Sequence, residues 1–335
     1  MFTNRAYEWC LESCFNLQCH NFCKRNQQFA QNHNIMFEET PIIGILSQEA
    51  YLVKDAYPDA DSFIVASYIK ILESSGARVL PIWIGQDAAY YERVVNYTNG
   101  ILFPGGGTYF NETGGYGEAA KQLYELAVKT NEKGVHYPLW GICLGMQVLM
   151  YGAVGRDIRG NCQSKDVALH LEFVAGYEES KLFSKAPSQL LENLKTKNLT
   201  YNYHRYCIFE DVLKNNNLLT DWRIISKNKD TNGLEFVSSM EHVNYPFFGT
   251  QFHPEKNPFE FKKTAVPHCP EAVELAQYFG NFFVDEARKN NHTFGDKKVE
   301  EASLIYNFNP VYSIYNTSYE QLYLFYKQDY NRNLL

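Results

Sequence analysis

Three features of the chain predict an α/β fold, a mostly parallel central sheet with helices on both faces. Short apolar runs bounded by turn residues alternate with helical patterns through the first half, as consecutive strand and helix units do. A 45% apolar content over 335 residues is enough to bury one substantial core. Third, the run Pro138-Leu139-Trp140-Gly141-Ile142-Cys143-Leu144-Gly145-Met146-Gln147 passes from an apolar strand into a helix within one residue.

Taken in order, residues 41 to 46 read as the first strand. A helix is expected from about Ser62 to Ser75, with Ile64, Val65, Tyr68, Ile69 and Leu72 at helical spacing and Gly76 as its stop. Strand 78 to 84, a helix near 87 to 97, and strand 100 to 103 follow, ending in the loop Gly105-Gly106-Gly107. Helix 116 to 133 leads to strand 138 to 142. Beyond it, segments near 169 to 174, 234 to 240 and 246 to 252 read as strands of a more antiparallel second half. No internal repeat is evident. The organisation expected is a Cys-rich extension over 1–36, a catalytic domain over 37–295, and a Tyr-, Asn- and Phe-rich tail over 296–335 whose aromatics pack on the domain surface.

Cys143 stands where a strand-to-helix elbow pushes a side chain outward, and the N–H groups of the helix start favour a thiolate and then an oxyanion. A buried structural cysteine is the plain alternative, and the glycines on both sides argue against it. A base is available far downstream, where the aromatic run Tyr245-Pro246-Phe247-Phe248-Gly249-Thr250-Gln251-Phe252 ends in His253-Pro254-Glu255. At the end of that strand His253 can take a proton from Cys143, and Glu255 can hold its ring in one tautomer.

Together, G-I-C-L-G and H-P-E resemble the class I glutamine amidotransferase pattern, a Cys-His-Glu triad that cleaves the side-chain amide of glutamine. Further segments resemble the gamma-glutamyl hydrolase family within that superfamily: residues 41–49, 66–82 and 100–107, Asn202-Tyr203-His204-Arg205-Tyr206, and the continuation Lys256-Asn257-Pro258-Phe259-Glu260-Phe261. The helix-like run 282–292 completes a likeness over roughly residues 40 to 295. The resemblance implies an amidotransferase-like three-layer sandwich that hydrolyses folylpoly-gamma-glutamates without metal or organic cofactor, as a homodimer. It implies catalytic Cys143, His253 and Glu255, an oxyanion hole from the N–H groups of Gly106 and Leu144, and substrate contacts from His204, Gln147 and Gly105. Met146-Gln147 departs from the aromatic and glutamate that many members carry, which bears on the substrate contacts of that turn.

Composition narrows the other classes. A net charge of −7 leaves no basic stripe for nucleic acid. No run approaches the roughly 20 apolar residues of a membrane span, and the N-terminus lacks the apolar core of a secretory signal. The glycine loop lacks the Lys-Ser/Thr ending of a phosphate-binding loop. Cys10, Cys14, Cys19 and Cys23 beside His20 leave disulfide pairing, zinc binding and a discarded extension all open. Sequons begin at Asn96, Asn111, Asn198, Asn291 and Asn316, in keeping with a lysosomal, vacuolar or secreted glycoprotein. Two other functions fit the same fold: a glutaminase subunit supplying ammonia to a synthetase, and a binding protein that has lost catalysis.

Overall fold

The structure, a computed structural model, describes residues 39–330. The cysteines at 10, 14, 19 and 23 lie outside the described residues.

Five parallel strands form the middle and one side of an eight-stranded sheet: β1 (Ile42–Leu46), β4 (Arg78–Ile82), β5 (Gly100–Phe103), β6 (Leu139–Ile142) and β12 (Phe247–Thr250), in the order β4-β1-β5-β6-β12. The second half extends this sheet antiparallel through β11 (Glu235–His242), β10 (Trp222–Lys229) and β8 (Glu172–Phe173). Residues of the parallel strands such as Ile43, Ile45, Val79, Leu80, Ile101, Leu102, Leu139 and Ile142 are inaccessible to solvent. That burial requires a helix layer on each face. Two adjacent residues show both layers. Phe247 packs on Tyr124 of the helix Tyr116–Glu132, whereas Phe248 packs on Phe282 of the helix Pro270–Ala287. Alternate side chains of a strand point to opposite faces, so these helices lie on opposite sides of the sheet.

Local signals set two helix ends. Asp87 caps the helix Ala88–Tyr97 by accepting from the Tyr90 N–H at 2.8 Å. Gly76, at φ 89°, ends the helix before β4 in a left-handed conformation that a side chain would strain.

The expected helix over 62–75 is corrected. Ser62–Val65 forms a strand, β3, and the helix, α1, begins only at Ala66 and runs to Glu73. Phe63-Ile64-Val65 fits either period, and β-branched residues pack well in a pleated strand. The decision comes from far away: β14 (Gln321–Phe325) pairs antiparallel with β3, and β2 (Gln48–Glu49) covers its other edge. The C-terminal segment is thereby part of a four-stranded second sheet, β13-β14-β3-β2, where β13 is Val311–Tyr312. Its aromatics are not confined to the surface, because Phe325 is fully buried and meets Trp83 at 4.5 Å between ring centroids. Trp83 also stacks on Tyr330 at 5.3 Å. A third, two-stranded sheet joins β7 (Gly160–Leu169) to β9 (Thr200–Cys207).

Removing the Phe325 ring leaves a cavity against Trp83, so Phe325→Ala is expected to lower stability by about 3–5 kcal/mol. Urea unfolding measures this, and an unchanged midpoint would mean that the tail strand is not part of the cooperative unit.

Candidate active site

The three central strands β5, β6 and β12 are consecutive neighbours in the sheet, and each ends at the same place. The glycine loop follows β5, Cys143 follows β6, and His253 follows β12. This is the carboxyl edge of a parallel sheet, where open α/β folds place their ligands.

Cys143 is the residue before the helix Leu144–Val154 and has φ 54° and ψ −108°. A non-glycine residue rarely adopts such angles, and the cost is of order 1–3 kcal/mol. The surroundings hold it there. Its N–H donates to the Thr250 carbonyl at 2.7 Å, and its carbonyl accepts from the Gln147 N–H at 3.2 Å. The flanking glycines are required by distance: a Cβ on Gly145 would lie 1.8 Å from the Phe103 carbonyl oxygen, and one on Gly141 would lie 2.4 Å from the Gly145 oxygen. The Leu144 N–H opens the helix and has no acceptor inside it.

His253 is buried and donates its Nδ1 proton toward Glu255 Oε1 at 2.8 Å. That leaves Nε2 for the cysteine side. Burial works against the imidazolium, but the Glu255 carboxylate and then Cys143 outweigh it, raising the ring to about 9. Glu255 is completely buried, and its second oxygen has no hydrogen-bond partner among the described residues. Tyr68, on α1, lies 3.3 Å from His253 Nδ1 and accepts from the Gly105 N–H at 2.9 Å.

The glycine loop is strapped by buried side chains of β2. Gln48 Nε2 donates to the Gly105 carbonyl at 2.9 Å and its Oε1 accepts from the Gly107 N–H at 3.3 Å. A Cβ on Gly106 would fall 1.8 Å from that Oε1, so only glycine fits beneath the strap. Glu49 fixes the far side of the loop through Thr108 Oγ1 at 2.6 Å and the Tyr116 N–H at 2.7 Å. Gly106 and Leu144 both line the cavity over Cys143, whereas the Gly105 N–H and carbonyl are both engaged within the protein.

That cavity is about 730 Å³ and includes every site residue named from the sequence except Glu255, which stands behind His253. Gln147 faces it, but its amide N–H groups donate to the Tyr206 carbonyl and to Gln251 Oε1. His204 lines it with both ring nitrogens occupied. Nε2 meets Asn202 Oδ1 at 3.0 Å, and Nδ1 lies 3.4 and 3.3 Å from the sulfurs of Cys162 and Cys207. Burial, and next the charge of His253, hold His204 down to about 3, so it is neutral and no competing base. Cys162, His204 and Cys207 bring three donor atoms within 4.8 Å of one another. The two sulfurs are bonded to each other, however, and metal sites use thiolates, so the set acts as a bracket joining β7 to β9. Tyr68, Gln48 and the disulfide were not expected from sequence. By spacing alone Tyr68 reads as one more apolar position of a helix.

The pKa arrangement has a direct consequence. Removing the Glu255 charge removes the main influence that raises His253, so Glu255→Gln is expected to move the alkaline limb of kcat/KM to lower pH. A pH–rate profile of the two proteins checks this, and coincident limbs would show that Glu255 does not set the histidine.

The profile of the peptidase C26 family matches residues 41–255, which contain the glycine loop, Cys143, His253 and Glu255. The chain is 38% identical to the gamma-glutamyl hydrolase of Mus musculus over 289 residues, spanning 86% of this chain and 90% of that protein. Against the gamma-glutamyl hydrolase of Homo sapiens the identity is 38% over 288 residues, 85% and 89% of the two chains. Gamma-glutamyl hydrolase B of Dictyostelium discoideum is 35% identical over 309 residues, 88% and 87%. With both the family profile and near full-length relatives matching around this cysteine site, the chain belongs to the gamma-glutamyl hydrolases of peptidase family C26.

Proposed function

We propose that the protein hydrolyses the gamma-glutamyl bonds of folylpoly-gamma-glutamates, with Cys143 as nucleophile, His253 as acid and base, and Glu255 as the group that orients His253. The observation that carries these roles is the placement of a buried, carboxylate-held imidazole beside a cysteine on a helix-start elbow, at the ends of two paired parallel strands.

The thiolate of Cys143 attacks the gamma-carbonyl carbon that joins two glutamates. Negative charge moves to the carbonyl oxygen, where the N–H groups of Leu144 and Gly106 are the donors the loop and helix offer. One such donor is typically worth about 2.7–4 kcal/mol in the transition state. As the C–N bond breaks, the His253 imidazolium gives its proton to the departing alpha-amino nitrogen, leaving a thioester on Cys143. Neutral His253 then takes a proton from water, whose oxygen attacks the thioester carbon and releases the thiolate. Glu255 remains ionised throughout and keeps the imidazole turned toward sulfur. His204, neutral and internally bonded, shapes the wall rather than moving protons.

Support for a folyl head group comes from Tyr51 and Tyr109, which line the cavity while 51% and 65% exposed. Broad aromatic faces open to solvent suit a flat heteroaromatic ring. The disulfide Cys162–Cys207 and the exposure of all five sequon asparagines support an oxidising compartment, lysosomal, vacuolar or extracellular. No helix among the described residues is long and apolar enough to cross a membrane.

The test is incubation of the protein and of Cys143→Ala with pteroyl-penta-gamma-glutamate and, separately, with glutamine. Shortened folates from the wild type, reduced at least about 10³-fold by Cys143→Ala, are expected. Ammonia from glutamine without folate cleavage would instead identify a glutaminase, and equal folate cleavage by the variant would remove Cys143 from the chemistry.

A further inference from the structure

The chain is acidic overall, yet its active-site cavity gathers six cationic side chains, Arg159, Lys165, Arg205, Lys256, Lys262 and Lys263, against the two carboxylates Asp157 and Glu260. Half of these cations are already engaged. Arg159 is held by Asp157 at 2.6 Å, and Lys262 Nζ donates to the carbonyls of Ile314 and Thr317 at 2.7 and 2.6 Å. Lys256 is buried over the Tyr319 ring, beside Glu260.

The others differ. Lys165, on β7, and Lys263, beyond the short helix Lys256–Phe259, come from separate parts of the chain and place their ammonium groups 5.5 and 5.2 Å from the centre of one ring, Tyr203. Neither forms an ion pair with a carboxylate among the described residues. Lys165 is exposed and lies directly across the ladder from Tyr203, and Arg205, two residues further along β9, is exposed on the same face. Two ammonium groups brought to one aromatic ring without a carboxylate make a place for anions, since the ring can stabilise the cations but cannot neutralise them.

This place is linked to the catalytic histidine by aromatic rings. His253 is 6.3 Å from Tyr201 between centroids, and Tyr201 is 6.4 Å from Tyr203 in a near-stacked pair. An alpha-linked residue extends 3.3–3.6 Å, and the two additional backbone bonds of a gamma-linked glutamate lengthen the repeat to about 6 Å. The lysines therefore stand within about three gamma-glutamyl units of His253. Such a chain carries one free alpha-carboxylate per unit.

Building on the proposed substrate class, we infer that Lys165 and Lys263 bind the alpha-carboxylates of a poly-gamma-glutamyl tail at Tyr203, with Arg205 next along that face, and that this site makes longer tails bind more tightly than short ones. Both lysines are solvent-accessible, so their contribution is electrostatic, weakened by salt, and felt in binding rather than in the chemical step.

The experiment measures kcat and KM for folates with two and with five glutamates, at low and high salt, on the wild type, Lys165→Gln/Lys263→Gln and Lys165→Arg/Lys263→Arg. The same double substitutions in Cys143→Ala give the dissociation constant of the five-glutamate folate directly. In the Gln/Gln protein, KM for the five-glutamate folate and that dissociation constant are expected to rise about tenfold, with a smaller change for two glutamates. The salt dependence flattens, and Arg/Arg restores the wild-type values. Unchanged KM and affinity, or a loss of kcat equal for both tails and not restored by arginine, would overturn the inference while leaving the hydrolase reading intact. A wild type that cleaves and binds neither folate removes both readings together.

Discussion

The site depends on how closely two backbone segments approach where β6 turns into the helix at Leu144. The Phe103 carbonyl at the end of β5 occupies the position a side chain on residue 145 would need, and Gly145 in turn occupies the position a side chain on residue 141 would need. This double approach lets the loop after β5 come down beside Cys143. It also forces the turn through one residue, which gives Cys143 its positive φ. The cost of those angles is met by neighbours that bond to both peptide groups of Cys143, the Thr250 carbonyl before it and the Gln147 N–H after it. Because Thr250 lies on β12, the strand that delivers His253 also holds the backbone of Cys143.

Burying a histidine with a glutamate is expensive unless each charge is compensated, since desolvation of an ion pair can exceed its attraction. Here one Glu255 oxygen bonds the ring and the other is left without a partner among the described residues, so the pair does not read as a device for stability. Its effect is to hold an imidazolium where burial alone would strip the proton. Tyr68 completes this arrangement by joining His253 to the Gly105 amide, linking the histidine to the loop that carries the proposed oxyanion donor. A loop braced by Gln48, Glu49 and Tyr68 is already in place before substrate arrives, which is what electrostatic stabilisation requires.

The parallel half of the fold was legible because its signals are local: apolar runs, the Gly76 stop and the G-I-C-L-G elbow all act within a few residues. Cys143, His253 and Glu255 were legible for the same reason, each sitting in a short pattern with a chemical purpose. What sequence left hidden depends on distant partners. Ser62–Val65 is a strand because β14 pairs with it, and Phe63-Ile64-Val65 alone carries no sign of that choice. Cys162 and Cys207 are separated by 45 residues and stand in no motif, so only the pairing of β7 with β9 reveals their bond. Tyr68 is an apolar residue by its spacing, and its hydroxyl acquires meaning only when the loop at Gly105 folds against it.

Tyr319, half-buried at the cavity wall, sits just before the strand that pairs with β3, and Lys262 is anchored by the carbonyls of Ile314 and Thr317. Cys143 and His253 are synthesised well before residues 314–319. On a ribosome, the sheet carrying Cys143 and His253 can therefore be complete while one wall of the chamber is still within the exit tunnel. The chain becomes able to enclose a substrate only once residues 311–325 have joined the second sheet, which separates the assembly of the sheet edge in time from the assembly of the container.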